Sequence, residues 1–210
     1  MTRLVGSHYD RHMVPAVVLA AGKSTRMGRT KALLPLDATD TFLTRIVRSF
    51  RAAGVEDVVV VLGHDAEAVA SSLAARGVAA RIVVNTEYER GQFSSLMAGL
   101  QVVDRPGVAG MLLTLVDVPL VTPETIRAVV ARHRASAAPL IRPVNGSRHG
   151  HPVLIDRRLF DGLRQADPGQ GAKPVVRAYA SAAGDVEVND EGAFIDVDTP
   201  EEYAALTRAE

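Results

Sequence analysis

The sequence predicts an α/β protein: a three-layer α/β/α sandwich whose central sheet is mostly parallel. Strand-length apolar runs alternate with stretches of helical period through the first two thirds of the chain. The runs at 16–20 and 55–62 are β-branched and nearly continuous, as in parallel strands buried on both faces. A glycine-bearing loop follows the first run directly, beyond the carboxyl end of a strand, where open α/β sheets bind ligands.

Taken in order, residues 1–12 carry no pattern and are expected to be a disordered extension, with one domain over 13–210. After the first strand and its loop, Phe42, Ile46, Val47 and Phe50 recur at helical spacing over 41–53, and Gly54 ends the run. The strand at 55–62 is interrupted only by Glu56-Asp57; Asp65 then offers an N-cap for a helix over 66–76. A third strand is expected at 80–84, and a helix with Leu96, Leu100 and Val103 on one face begins near Gly91.

The run 110–120 reads as a buried strand ending in a carboxylate, Asp117. Thr122-Pro123-Glu124 supplies the cap, first-turn proline and acidic residue of the next helix, over 123–134, so Asp117 is not needed as a cap. Then the alternation changes. Strands at 140–144 and 151–155 flank Asn145-Gly146, a hairpin signal, so a hairpin insertion should depart from the parallel sheet and cover a second substrate. A short helix is expected at 157–165, a loop at 167–173, and short closing strands at 187–188 and 194–197. Thr199 and Glu202 have capping-box spacing with Pro200 at the first helical position, which defines a last helix preceded by Asp196 and Asp198.

Composition narrows the function. Lys plus Arg number 24 and Asp plus Glu 24, so the basic footprint of a nucleic-acid binder is lacking. The chain has no cysteine, which excludes disulfides, thiolate metal sites and a Cys nucleophile. No apolar run approaches the length of a membrane span and 1–12 lacks a signal-peptide pattern, so a cytoplasmic location is expected. His149 and His151 look like a metal-ligand pair, but no third ligand follows at a suitable spacing.

The chemistry concentrates in the loop. Gly22 and Gly28 stand among the cations Lys23, Arg26, Arg29 and Lys31, with hydroxyls at Ser24 and Thr25. A glycine lets backbone approach a ligand closely, and exposed N–H groups with clustered cations suit a polyphosphate. Two familiar phosphate loops fail here. Five residues separate Gly22 from Gly28 and Arg29-Thr30 follows, unlike the Walker loop; Gly22-Lys23-Ser24 lacks the second glycine of the dinucleotide fingerprint.

The run Leu19-Ala20-Ala21-Gly22-Lys23-Ser24-Thr25-Arg26-Met27-Gly28, continued by Lys31-Ala32-Leu33-Leu34-Pro35, resembles the opening motif of the nucleotidyltransferases of the nucleotide-diphospho-sugar transferase fold. The chain looks most like the molybdenum cofactor cytidylyltransferases and molybdopterin-guanine dinucleotide synthases. Gly91 to Leu96, Asp117-Val118-Pro119, Gly150-His151-Pro152-Val153 and Asp196 to Glu202 extend the resemblance to nearly the whole chain.

The resemblance implies a Rossmann-like fold and transfer of an NMP from an NTP to a phosphate-bearing acceptor, with molybdopterin first among acceptors. A sugar, polyol or phospho-acid phosphate, or a catalytically silent module serving a molybdoenzyme or its chaperone, are the alternatives. It implies nucleotide binding by Leu19 to Ser24, Thr25, Gly28 and Ser94 or Ser95, with Lys23, Arg26 and Lys31 on the phosphates. It places Mg²⁺ on Asp117 and Asp198, and the acceptor near His151 and Lys173. The Ala20-Ala21-Gly22 form resembles CTP and UTP users rather than GTP users, which favours CTP. Two positions depart from the family: Val118 stands where cytidylyl relatives often carry Gln, and Gln170 interrupts an acidic pattern.

Overall fold

In a computed structural model, β1 (Ala16–Ala20) lies inside the sheet and all its residues are buried. The structure describes residues 13–207; the extension expected over 1–12 lies outside the described residues. β2 (Val58–Leu62) and β4 (Gly110–Leu115) flank β1, and β3 (Arg81–Val84) lies beyond β2. All three pairings are parallel, with Ala16 opposite Val58 and Leu112. β1, β2 and β4 are buried on both faces, which explains why they read as continuous apolar runs, whereas β3 is an edge strand and largely exposed.

Alternation along β1 sorts the helices into two layers. Ala16, Val18 and Ala20 face α1 (Phe42–Ala52), α2 (Ala66–Ala75) and α4 (Pro123–Ala135), which contribute Ile46, Val47, Phe50, Val69, Leu73, Ile126 and Val129 to one core. Val17 and Leu19 face α3 (Gln92–Val103) and α5 (Phe160–Arg164), which contribute Leu96, Leu100, Val103, Phe160 and Leu163 to the other. Gly99 lets α3 lie directly on the sheet: a Cβ there would stand 2.5 Å from Val17 Cγ1.

Several expectations are corrected. β2 starts at Val58, not 55. Asp65 precedes α2 but does not cap it; its backbone is left-handed at φ 53° and its carboxylate accepts from the Thr30 hydroxyl instead. The stretch expected as one hairpin is divided. β5 (Leu140–Asn145) turns at Asn145-Gly146 into a short β6 (Arg148–His149); the chain then leaves that pairing, and β7 (Val153–Asp156) enters the main sheet antiparallel between β4 and β5. Backbone from a distant segment causes the break: Ala193 O accepts from His151 N at 2.9 Å, and a Cβ on Gly150 would meet that oxygen at 2.4 Å.

Lys173 is not in a loop but opens α6 (Lys173–Tyr179), with Pro174 in its first turn. β8 (Asp185–Glu187) pairs parallel with β5. Residues 194–197 form no strand. A 3₁₀ turn, Glu191–Phe194, is capped by Asp190, and the chain then runs past β4 with one tie, Val197 N to Asp117 O at 2.8 Å. α7 (Pro200–Thr207) has the expected capping box, in which Glu202 Oε2 accepts from Thr199 N at 2.9 Å and Thr199 Oγ1 accepts from Glu202 N at 3.2 Å. No helix of the described residues is long and apolar enough to cross a membrane.

Candidate active site

The loop after β1 folds as two short 3₁₀ turns, Thr25–Met27 and Lys31–Leu33. Gly28 ends the first turn at φ 63°, a left-handed backbone that suits glycine. A small separate core fixes the loop against the end of the chain: Met27, Leu34, Leu36 and Phe42 pack with Val197. Tyr203 seals it, edge-on to Phe42 with ring centroids 5.8 Å apart and its hydroxyl donating to Pro35 O at 2.7 Å. Burying Val197 beside Met27 brings its neighbour Asp198 to the loop, and the Val197–Asp117 backbone bond brings Asp198 to Asp117.

The result is a charged cluster at the carboxyl edge of the sheet. Lys31 Nζ lies 2.5 Å from Asp198 Oδ1 and 3.6 Å from Asp117 Oδ2, and its side chain is only 10% exposed. Arg26 Nη2 donates to Asp198 Oδ2 at 2.8 Å. Asp117 Oδ1 is buried with no hydrogen-bond partner. Burial pushes the Asp117 carboxyl above the usual carboxylate range, and the negative charges of Asp196 and Asp198 add to the rise while Lys31 opposes it. The Lys31 hydrogen bond holds Asp198 below that range, and Arg26 reinforces it.

These residues line a cavity of about 300 Å³ together with Leu19, Ala21, Gly22, Ser24, Tyr88, Gly91, Gln92 and Ser95. Ser24 Oγ accepts from Lys31 N at 3.2 Å, which ties the two turns of the loop together. Asn85, at the end of β3, donates to Ser94 Oγ at 2.9 Å and Ser95 Oγ at 3.0 Å. Ser95 reaches the cavity, whereas the Ser94 hydroxyl turns back to Gly91 O at 2.8 Å.

Other expected residues stand outside the lining. Ala20 is buried in β1, and Thr25 and Gly28 are exposed on the turn. Lys23 pairs with Glu89 at 2.5 Å, its ammonium 5.9 Å from the centre of the Tyr88 ring. Sequence reasoning missed Tyr88, Gln92 and Asn85. Their signal was a polar, aromatic-bearing segment directly after a strand at the binding edge. Tyr88 can lie there because Gly63 has no side chain; a Cβ would meet Tyr88 Cβ at 2.6 Å. Val118 is fully buried, away from the cavity.

A second cavity, about 470 Å³, shares Leu19, Leu115, Gly91 and Gln92 with the first. Its walls are apolar, from Phe93, Leu96, Leu113, Val153 and Val176, and Arg90, Gln170 and Lys173 carry polar groups to it. His151 and Lys173, expected near the acceptor, both lie here. The His151 ring nitrogen Nδ1 is 3.3 Å from Leu113 O, and burial pushes the imidazole below its ordinary range.

Among the described residues no group of three or more His, Asp or Glu is gathered to hold a metal by itself. Two carboxylates sharing a cation, one with an orphaned buried oxygen, nevertheless fit Mg²⁺, which takes one or two carboxylates and completes its shell with phosphates.

The chain belongs to the MobA-like NTP transferase family, whose domain matches residues 16–183, and so to the nucleotidyltransferases. It is 32% identical to nicotine blue oxidoreductase of Paenarthrobacter nicotinovorans over 94% of this chain and 98% of that one. It is 33% identical to the bifunctional IPC transferase and DIPP synthase of Rubrobacter xylanophilus over 91% of this chain, but spans only 51% of that protein. Among solved structures, the manganese complex of Rv0371c from Mycobacterium tuberculosis superposes with a TM-score of 0.73 at 26% identity, covering 94% of this chain and 98% of that one. The fold is that of the nucleotide-diphospho-sugar transferases.

Proposed function

We propose that residues 13–210 form one nucleotidyltransferase domain that moves an NMP from an NTP, CTP ahead of GTP, to a phosphate-bearing acceptor and releases pyrophosphate. Molybdopterin is the first acceptor to test, ahead of a sugar, polyol or phospho-acid phosphate. The observation that carries the reading is the convergence of Arg26, Lys31, Asp117 and Asp198 on one cavity beside the glycine loop. The reading implies cytoplasmic work on small molecules, with no nucleic acid or membrane as partner and a molybdoenzyme or its chaperone receiving the product.

Nucleotidyl transfer asks for positioning and charge neutralisation more than covalent chemistry. The loop amides at Gly22 and Ser24 and the Arg26 guanidinium hold the β and γ phosphates. Lys31, beneath them, neutralises charge growing at the α-phosphate as the acceptor oxygen attacks in line. Lys23 joins only by leaving Glu89. Asp117 and Asp198 would hold Mg²⁺ with the phosphate oxygens, and the ion would supply positive charge there. A phosphate acceptor is ionised at neutral pH, so the cavity needs no general base. Ser95, held by Asn85, meets the base, and Ala21 narrows the wall where GTP-using relatives tend to carry glycine. His151 and Lys173 serve the acceptor from the second cavity.

The relative named nicotine blue oxidoreductase prompts a second reading, redox turnover of an apolar compound, which the apolar second cavity favours. Pyrophosphate release, followed for each NTP with and without candidate acceptors, separates the readings. Acceptor-dependent release, fastest with CTP, is expected. No release from any NTP would leave the redox reading or a silent module.

A further inference from the structure

The free protein already carries cations between its two site carboxylates. Lys31 Nζ sits 2.5 Å from Asp198 and 3.6 Å from Asp117, while Arg26 covers the other Asp198 oxygen at 2.8 Å. Both oxygens of Asp198 are therefore engaged by the two side chains that the transfer reading assigns to phosphates. For Arg26 and Lys31, Asp198 stands where a phosphate would.

The backbone around Asp198 is fixed: its N–H donates to Glu202 Oε2 at 2.7 Å, and Val197 N–H to Asp117 O at 2.8 Å. The cations are the movable parts. Lysine has a flexible four-carbon stem, and Arg26 is on an exposed turn. A divalent ion arriving alone meets an ammonium in its place and is repelled by it. A triphosphate arriving alone must draw both cations off a carboxylate they already satisfy. Arriving together, the two exchange charge for charge: phosphate takes Lys31 and Arg26, and the metal takes the carboxylates they leave.

We infer that Lys31 is the resident counter-ion of the Asp117–Asp198 pair, so that the divalent metal enters the site only as a partner of the polyphosphate. This rests on the nucleotidyl-transfer reading above. It makes the binding of metal and nucleotide reciprocal, each tightening the other by the same factor. It also predicts that a residue needed for turnover opposes binding of the metal by itself.

The probe is Mn²⁺ binding to the full chain without nucleotide, followed by the electron paramagnetic resonance of the free ion. Lys31→Met keeps the apolar stem and removes the charge. It is expected to bind Mn²⁺ at least ~10-fold more tightly than the wild type, within the usual span of such couplings. Adding Asp198→Asn should remove the gain. Equal or weaker Mn²⁺ binding by folded Lys31→Met would overturn the proposal, as would a gain that survives Asp198→Asn. A titration of the wild type needs no variant. Its affinity for the non-reacting α,β-methylene analogue of CTP should rise at least ~10-fold when Mn²⁺ is present; no rise would also overturn it. Failure of the transfer reading looks different: the analogue would bind neither with nor without metal.

Discussion

The two cavities share a wall and differ in how they are built. In the first, every charged side chain facing the cavity is neutralised by another: Lys31 and Arg26 by Asp198, with Asp117 close by. In the second, the wall is hydrocarbon from five elements, with charged groups at Arg90 and Lys173. The first is a set of charges awaiting new partners, so single substitutions there should act on turnover. The second is a shape, so substitutions there should act on which acceptor fits. Leu19 and Leu115 belong to the walls of both.

The contrast is tested most strongly by Lys31→Ala. It should lower turnover by ~10²-fold or more, the scale of losing one preorganised electrostatic group, and change NTP affinity much less. Steady-state rates against CTP binding measure this, and normal turnover would remove Lys31 from the chemistry. In the second cavity, Val176→Asp places a charge on an apolar wall at a half-buried position. The acceptor KM should rise about tenfold, the scale of a buried methylene or two, with the CTP KM unchanged. A rise in both would mean that the cavities do not divide the substrates.

Smaller effects refine the comparison. Ala21→Gly should raise kcat/KM for GTP relative to CTP by up to about tenfold, since one methyl group is removed from the wall; an unchanged ratio in paired assays would free Ala21 from base choice. Stability should show the cost of the first cavity. The folded Asp117 carboxyl sits above its ordinary range because it is buried, so its ionised form opposes folding at neutral pH and the penalty fades as pH falls through the raised value. Asp117→Asn should therefore raise the Tm at pH 7, on the order of 2–4 °C per kcal/mol relieved in a chain of this size, and the gain should shrink in acid. Asp37 has the opposite sign. Backbone and side-chain bonds from Thr39 hold it at about 2, so its contribution is present above the ordinary value of 3.8 and is lost as pH falls toward 2. A thermal melt series across pH on the wild type, Asp117→Asn and Asp37→Asn reads both signs.

The parallel half of the sheet was legible because β1, β2 and β4 are buried on both faces and each helix has an apolar stripe or a cap. Asp117 was legible because Thr122 and Pro123 had already capped the next helix. The antiparallel half was not. β7 pairs with both β4 and β5, and the break that separates it from β6 depends on Ala193 O meeting the 150–151 backbone, a contact between segments far apart in sequence. The α6 start at Lys173 looked like loop because Gly169, Gly171 and Pro174 surround it. Residues 194–197 have strand-like composition, but a single backbone bond to Asp117 and the burial of Val197 hold them. Asp198 was read as a metal ligand; its pairing with Arg26 and Lys31 could come only from the fold. Tyr88 lies in a polar segment directly after a strand, but its seat against the cavity depends on the missing side chain of Gly63, in a different part of the chain.

The central claim is that Asp117 and Asp198 act together on a divalent ion during nucleotidyl transfer. The most direct measurement is pyrophosphate release from CTP, with acceptor, against magnesium concentration for the wild type, Asp117→Asn and Asp198→Asn. The account predicts release that excess chelator abolishes, and variants at least ~10²-fold slower that need more magnesium. Full wild-type release in excess chelator, or an Asn variant with unchanged rate and magnesium dependence, would contradict it.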